Sequence, residues 1–259
     1  MAIDFHDSNN KYTYTNRKVP SEWIEVYGKI TSGKHIQKAV DIGCGGGVYS
    51  QALVELGSSE VVGIDFSRTM LEGAKENTLP YKSSIQFVLG DAYATGLTSD
   101  RYDLVLKRAL IHHLDQLSNS VMEAKRILKN EGVLIIQDRT PSDCFLKGSS
   151  THIRGHLFSL FPRLKRIEER RRYKSDVVRR ALKQAELKNI QETKLWETRK
   201  LYKSKDELLE ELRTRKGRSI LFELDNRELE KLITYIDSKI GSTEPIIEKD
   251  RWTIWSAEK

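Results

Sequence analysis

Cysteine is scarce in this chain of 259 residues, which contains only Cys44 and Cys144. Two thiols so far apart provide no disulfide framework and no cluster of sulfur ligands, and we predict no metal site. Long apolar runs are also absent, and no segment approaches the roughly 18 apolar residues that a spanning helix needs. Residues 1–17 lack the apolar core of a secretion signal, so we expect a cytoplasmic protein without membrane segments.

Basic residues outnumber acidic ones. The chain has 44 Lys and Arg and 37 Asp and Glu, which gives a net charge of +7. The excess peaks at residues 163–174, RLKRIEERRRYK. Such a run could face a nucleic acid or an anionic substrate, although Ile167, Glu168 and Glu169 also suit the solvated face of a helix. RNA-binding surfaces favour exposed aromatic rings, and this run has only Tyr173, so nucleic acid is the second choice of partner.

Residues 39–138 alternate between short apolar segments and amphipathic segments. Short segments rich in Val, Ile and Leu are typical of strands that helices cover on both faces. We predict an α/β fold with a doubly wound, mostly parallel seven-stranded sheet and helices on both faces. The last two strands are expected near residues 189–198 and 251–258.

The C-terminal half departs from this alternation, because helical patterns separate its strand candidates. Two pieces, at about 145–172 and 202–245, are predicted to form a helical insert that caps the strand ends and excludes water. Residues 1–35 are predicted to form a lid segment and a helix. Residues 36–259 would then form the main domain.

A glycine-rich turn follows the first predicted strand. The sequence DIGCGGG places Gly43, Gly45 and Gly47 between that strand and a helix that begins near Val48. Glycine permits positive φ and lets the backbone approach a ligand closely, and the helix N-terminus supplies unpaired amide donors. Tight structural turns also use glycine, so this turn by itself does not define a binding site.

Acidic residues end the next two predicted strands, EVVGID with Asp65 and FVLGD with Asp91. Doubly wound sheets bind ligands at this edge, where an acidic side chain can accept hydrogen bonds from ribose hydroxyls. A structural Asp65 that caps the following helix is the alternative. A dinucleotide-binding dehydrogenase is disfavoured, because Val48 stands where its fingerprint has the last glycine.

Together, DIGCGGG, VVGIDFS and VLGDA resemble the first three motifs of the class I, Rossmann-like methyltransferases that depend on S-adenosylmethionine. The resemblance covers roughly residues 38–140, and RALIHHL and ILKNEGVLIIQD resemble the small-molecule and quinone-biosynthesis type. It implies S-adenosylmethionine as cofactor and S-adenosylhomocysteine as product. The cofactor-binding residues that it implies are Arg17, Asp41, Gly43, Cys44, Gly45, Gly47, Asp65, Phe66, Asp91, Ala92 and Lys107.

The resemblance also implies a role for each part of this set. The glycines would pack against the methionine portion, Asp65 would accept the ribose hydroxyls and Phe66 would lie against adenine. Asp91 would accept a hydrogen bond from the adenine amino group, and the Ala92 amide would contact a ring nitrogen.

Methyl transfer from a sulfonium is an in-line displacement that needs a nucleophile about 3 Å from the methyl group. A base is needed only if the acceptor must lose a proton. Histidine has an intrinsic pKa suited to that task, so His112 and His113, which follow the fourth strand, are the candidate catalytic residues. Histidines at such positions can also be purely structural.

The acceptor would be a small molecule bound by Tyr14, Arg139, His152 and Arg154. Arg139, His152 and Arg154 could form a cation-rich pocket together with His156 and Arg172, and a solvated basic surface is the alternative. Arg17, near Tyr14, could pair with the cofactor carboxylate. Two other functions stay open: an RNA or protein methyltransferase that uses residues 163–174, and a cofactor-binding regulator without transferase activity.

Overall fold

The computed structural model describes residues 18–215, 217–241 and 245–259. Tyr14 and Arg17, predicted to belong to a lid, lie outside the described residues. The strands are β1 (Lys38–Ile42), β2 (Glu60–Asp65), β3 (Ile85–Leu89), β4 (Tyr102–Arg108), β5 (Leu128–Asp138), β6 (Lys188–Tyr202) and β7 (Ile246–Glu258). The helices are α1 (Ser21–Ile30), α2 (Val48–Glu55), α3 (Arg68–Asn77), α4 (Leu117–Ile127), α5 (Pro141–Cys144), α6 (Ile153–Leu160), α7 (Lys165–Arg171), α8 (Ser175–Gln184), α9 (Lys205–Arg213) and α10 (Asn226–Lys239).

The seven strands form one sheet in the order β3-β2-β1-β4-β5-β7-β6. Strands β1 to β5 run parallel, and β7 runs antiparallel to β5. The prediction of a mostly parallel seven-stranded α/β sheet is confirmed. The strand order reverses between β1 and β4, and in doubly wound sheets ligands bind beyond the carboxyl ends of the strands at such a point.

The chain divides into two compact units. The sheet unit comprises residues 18–138, 175–194 and 253–259, which hold α1 to α4, α8, β1 to β5 and parts of β6 and β7. The strand interiors of this unit are almost wholly apolar, and Val40, Ile64 and Val105 are buried. This burial explains why the strands carry runs of apolar residues rather than an alternating pattern.

The helical unit comprises Arg139–Lys174 and Leu195–Trp252. It has its own apolar core, in which Leu157, Phe158, Leu208, Leu232 and Ile236 are buried. The predicted cap pieces lie within this unit, and their covering role stays a prediction. Among the described residues, no helix is long and apolar enough to cross a membrane.

Candidate active site

The glycine loop (residues 43–47) joins β1 to α2 in left-handed backbone conformations. The φ angles are +77° at Gly43, +51° at Gly45 and +76° at Gly47. The amides of Gly43 and Cys44 both donate to the Ile64 carbonyl oxygen, at 2.7 and 3.0 Å. The loop is therefore tied to the carboxyl end of β2, and the positive φ angles explain three of its four glycines.

The glycines of this loop serve different purposes. A Cβ on Gly47 would lie 2.9 Å from the Phe87 ring and 3.1 Å from Thr78, and one on Gly43 would lie 2.8 Å from Leu110. A Cβ on Gly45 would meet no atom within 4 Å. Gly43 and Gly47 are therefore required because a side chain at either position would clash with the protein. Gly45 faces open space and lets a ligand approach the backbone.

Asp65 connects the end of β2 to the glycine loop. Its Oδ2 accepts from the Gly45 amide at 2.9 Å and its Oδ1 from the Ser67 amide at 3.0 Å. The N-cap of α3 is Ser67, whose side chain accepts from the Met70 amide. The alternative role of Asp65 as the helix cap is therefore wrong, and the buried carboxylate is oriented at the sheet edge.

Asp41 links β1 to α2, the two elements that the glycine loop joins. Its Oδ2 accepts from the Ser50 hydroxyl of α2 at 2.8 Å, and the side chain is buried. Burial raises the pKa of Asp41 to about 6, with a further increase from the Asp65 charge and opposing effects from Ser50 and Arg108. Burial and the charges of Asp41 and Asp65 raise the pKa of the Cys44 thiol well above its ordinary value.

An aromatic cluster next to this loop did not emerge from the sequence. The Arg108 guanidinium lies 4.2 Å from the centroid of the Tyr49 ring, and Tyr49 makes an edge contact with Trp23 at 4.9 Å. The position of Tyr49 two residues after Gly47 is the only sequence signal for it. The cluster places a cation beside the glycine loop, where its field acts on Asp41.

The ends of β2 and β3 bring the other predicted cofactor residues to the same edge. Asp65 is paired with Leu89 in the register of these strands, and Asp91 follows two residues later. Asp91 Oδ1 accepts from the Tyr93 amide at 2.8 Å, and the Ala92 carbonyl accepts from Ser120 at 3.1 Å. Phe66 is 54% exposed, so its ring surface is accessible at this edge.

Lys107 is placed differently from the other predicted cofactor residues. Its side chain is fully buried, and its ammonium donates to the carbonyl oxygen and the hydroxyl of Ser120 in α4. The contacts of Lys107 are therefore with α4 and not with the glycine loop. A direct contact of Lys107 with the cofactor stays a prediction.

His112 and Asp138 form a pair at the carboxyl ends of β4 and β5. His112 Nδ1 lies 2.7 Å from Asp138 Oδ2, and the same oxygen accepts from the His112 amide at 3.2 Å. The side chains are 16% and 2% exposed. The carboxylate favours a proton on Nδ1, which leaves Nε2 as the acceptor nitrogen. The His113 ring lies 4.0 Å from that of His112.

The remaining predicted acceptor residues lie in the helical unit, in a buried ion cluster. Asp250 accepts from Arg139 at 2.5 Å and from Arg154 at 3.2 Å, and Glu168 accepts from Arg172 at 2.6 Å. The solvated surface considered as an alternative is therefore wrong for Arg139 and Arg154. Their role in acceptor binding stays a prediction.

His152 lies in the same unit, with Nδ1 3.2 Å from the Lys249 carbonyl and its ring 5.2 Å from that of Trp196. The basic run of residues 163–174 also has acidic partners, since Arg163 pairs with Glu228 and Arg171 with Glu223. In the described part of the chain, no group of three or more His, Cys, Asp or Glu could hold a metal ion.

Comparison with known proteins agrees with this geometry. Residues 40–136 match the family model of a methyltransferase domain. A ubiquinone biosynthesis O-methyltransferase of Pelagibacter ubique is 31% identical over 99 residues, which are 38% of this chain and 40% of that protein. A demethylmenaquinone methyltransferase of Staphylococcus epidermidis is 31% identical over 137 residues, 51% of this chain and 56% of that protein.

Similarity of fold extends over the whole chain. Phosphoethanolamine N-methyltransferase 2 of Haemonchus contortus, solved in complex with S-adenosyl-L-methionine, superposes with a TM-score of 0.58 and 20% identity. The superposition covers 100% of this chain and 60% of that one, and the sequence matches span only 40% and 56% of the two curated relatives. The resemblance found in the sequence motifs is thus confirmed: residues 40–136 match the methyltransferase-domain family, and the chain shares its fold with a solved methyltransferase.

Proposed function

We propose that this protein transfers a methyl group from S-adenosylmethionine to a hydroxyl or amine of a small molecule, with His112 as the general base. The observation that carries the proposal is the common position of two groups of residues. The glycine loop with Asp65 lies at the carboxyl ends of β1 and β2, and the His112–Asp138 pair lies at the carboxyl ends of β4 and β5. The proposed cofactor site and the proposed base thus lie at the same edge of the sheet, one on each side of the point where the strand order reverses.

The residues at this edge fit the proposed cofactor. Gly45 leaves space against the backbone for the methionine portion, and the Asp65 carboxylate, which the Gly45 and Ser67 amides hold at this edge, would accept the ribose hydroxyls. Phe66 offers an exposed ring face for adenine, and Asp91 offers a carboxylate for its amino group. When bound, the cofactor supplies an electrophilic methyl group on a sulfonium.

The base accounts for the proton that the acceptor must lose. As the acceptor oxygen or nitrogen bonds to the methyl carbon and the carbon–sulfur bond breaks, the acceptor proton passes to His112 Nε2. The resulting imidazolium is stabilised by Asp138, which holds Nδ1 at 2.7 Å. An imidazole removes the proton of an acidic hydroxyl more readily than that of an alkyl alcohol, so a phenol-like acceptor fits best.

Cofactor binding is tested by calorimetric titration of the wild type and an Asp65→Ala variant with S-adenosylmethionine, S-adenosylhomocysteine and NAD. Loss of charged hydrogen bonds to ribose is expected to weaken binding of the first two by about 10- to 100-fold. Asp176→Ala, at an exposed acid of α8, is the matched control and should bind like the wild type. Equal affinity of Asp65→Ala and wild type, or a preference for NAD, would contradict the assignment.

The two glycines Gly45 and Gly47 provide a second test, because alanine strains both left-handed positions by about 1–2 kcal/mol. Gly47→Ala also meets Phe87 and Thr78, so it should lower the free energy of unfolding more than Gly45→Ala. Gly45→Ala should have the larger effect on affinity for S-adenosylhomocysteine, since its Cβ enters the proposed binding space. Denaturation and calorimetry measure the two effects, and the reverse order would place the ligand elsewhere.

Transfer itself is tested by supplying the cofactor with a labelled methyl group and screening phenols, amines and short RNA. A labelled small molecule would support the proposal. Binding of the cofactor without transfer to any acceptor class would favour the non-catalytic regulator, and labelled RNA would favour a surface such as residues 163–174.

A further inference from the structure

Lys107 is a fully buried lysine near the end of β4. Its Nζ donates to the Ser120 carbonyl oxygen at 2.6 Å and also to the Ser120 hydroxyl. The residues paired with it on the two neighbouring strands are Ile42 and Ile136. A buried ammonium is costly unless it is hydrogen-bonded, so these two bonds are what fix the side chain.

Helix α4 holds the loop of residues 91–95 through Ser120, the residue that accepts from Lys107. The Ser120 hydroxyl donates to the Ala92 carbonyl at 3.1 Å. One turn further along the helix, Glu123 Oε1 accepts from the Thr95 amide at 2.8 Å and from its hydroxyl at 2.5 Å. Residues three apart share a helix face, so α4 fastens this loop at two points.

We propose that Lys107 is a positioning residue for the adenine-binding loop: its ammonium directs the Ser120 hydroxyl onto the Ala92 carbonyl and thereby fixes residues 91–95 for the cofactor. This inference rests on the proposed function, in which Asp91 and the Ala92 amide contact adenine. It differs from a direct cofactor contact by Lys107, since the effect passes through Ser120.

The charge state of the amine decides the direction of the hydroxyl. An ammonium has three donors and no acceptor, so the Ser120 oxygen must accept from it and the hydroxyl proton is directed to Ala92. A neutral amine has a lone pair that can accept that proton instead. The neutral amine keeps two N–H donors but offers this second acceptor, so deprotonation weakens the bond that Ser120 makes to the loop.

Deprotonation of Lys107 is expected near neutral pH. Burial lowers the pKa of Lys107 to about 7, and the Glu123 carboxylate opposes part of the shift. Glu123, on α4, is the charged group whose field acts on the lysine, and it is itself paired with Arg126. The ammonium form predominates below pH 7, so cofactor affinity should be highest there and should fall as the pH rises through 7.

The test is calorimetric titration with adenosine, which has no group that titrates in this range, at several values between pH 6 and pH 8.5. Wild-type affinity should fall by up to about fivefold, the effect of losing one hydrogen bond completely. Lys107→Met and Ser120→Ala should bind weakly with no such pH dependence. Circular dichroism checks that each variant is folded, and Ser120→Ala carries the test if Lys107→Met does not fold.

The outcomes are distinct. A wild-type affinity that is independent of pH, or a Ser120→Ala variant that keeps the wild-type profile, would overturn the inference and leave the proposed cofactor intact. Failure of the wild type to bind adenosine and S-adenosylhomocysteine at every pH would overturn the proposed function and this inference with it.

Discussion

Replacing His112 by alanine is expected to lower the rate of methyl transfer to an acceptor hydroxyl by about 10²- to 10⁴-fold. The variant loses the ring nitrogen that lies 2.7 Å from Asp138, and the acceptor proton must then leave without the proposed base. Affinity for S-adenosylmethionine should stay near that of the wild type, because the glycine loop and Asp65 are untouched. Single-turnover rates with saturating cofactor, measured beside calorimetric affinities, separate the two quantities.

His113→Ala is the matched control, since the two rings lie 4.0 Å apart and the proposed base is the ring whose Nδ1 lies 2.7 Å from Asp138. The control should keep most of its activity. Asp138→Asn should reduce the rate as well, because an amide favours the wrong tautomer of His112. Normal turnover in His112→Ala would mean that the acceptor needs no base, and a larger loss in His113→Ala would reassign the role.

Replacing Asp250 by asparagine is expected to lower the free energy of unfolding by about 3–5 kcal/mol. Both oxygens of this buried carboxylate are used, one by Arg139 at 2.5 Å and the other by Arg154 at 3.2 Å. Burial would raise the pKa of Asp250, but the guanidinium groups of Arg154 and Arg139 outweigh it and hold the pKa well below its ordinary value. The amide removes the negative charge that Arg139 and Arg154 share.

Arg163→Ala is the control for this experiment, because the Arg163–Glu228 pair is exposed and should contribute at most about 1 kcal/mol. Urea denaturation followed by circular dichroism measures both variants. A loss in Asp250→Asn no larger than that in Arg163→Ala would show that the cluster does not stabilise the helical unit.

The ion cluster around Asp250 also makes the free energy of unfolding depend on pH. Burial opposes ionisation of Glu168, but Arg172, Arg154 and Arg139 lower its pKa to about 2. A carboxylate with a lowered pKa stabilises the folded state above its unfolded pKa of about 4, and this stability is lost as the pH falls toward 2. The loss below pH 4 should be smaller in Asp250→Asn, which lacks one of these carboxylates.

The sequence by itself determined the strands of the sheet and the edge at which we propose that the cofactor binds. Strand runs such as VVGID are apolar because both faces are covered, and this signal is local. Gly43, Gly45 and Gly47 could be predicted to adopt positive φ because no other residue does so readily. The ends of parallel strands share an edge, so Asp65 and Asp91 could be placed near each other without coordinates.

The tertiary structure alone decided which charged groups meet. His112 pairs with Asp138 across 26 residues of sequence and Arg139 with Asp250 across 111, and Lys107, predicted to bind the cofactor, donates to Ser120 of α4. Glu168, which suited a solvated helix face, is buried against Arg172. Local periodicity indicates how a segment folds, whereas the cost of burying a charge depends on partners that only strand order and helix packing bring within reach.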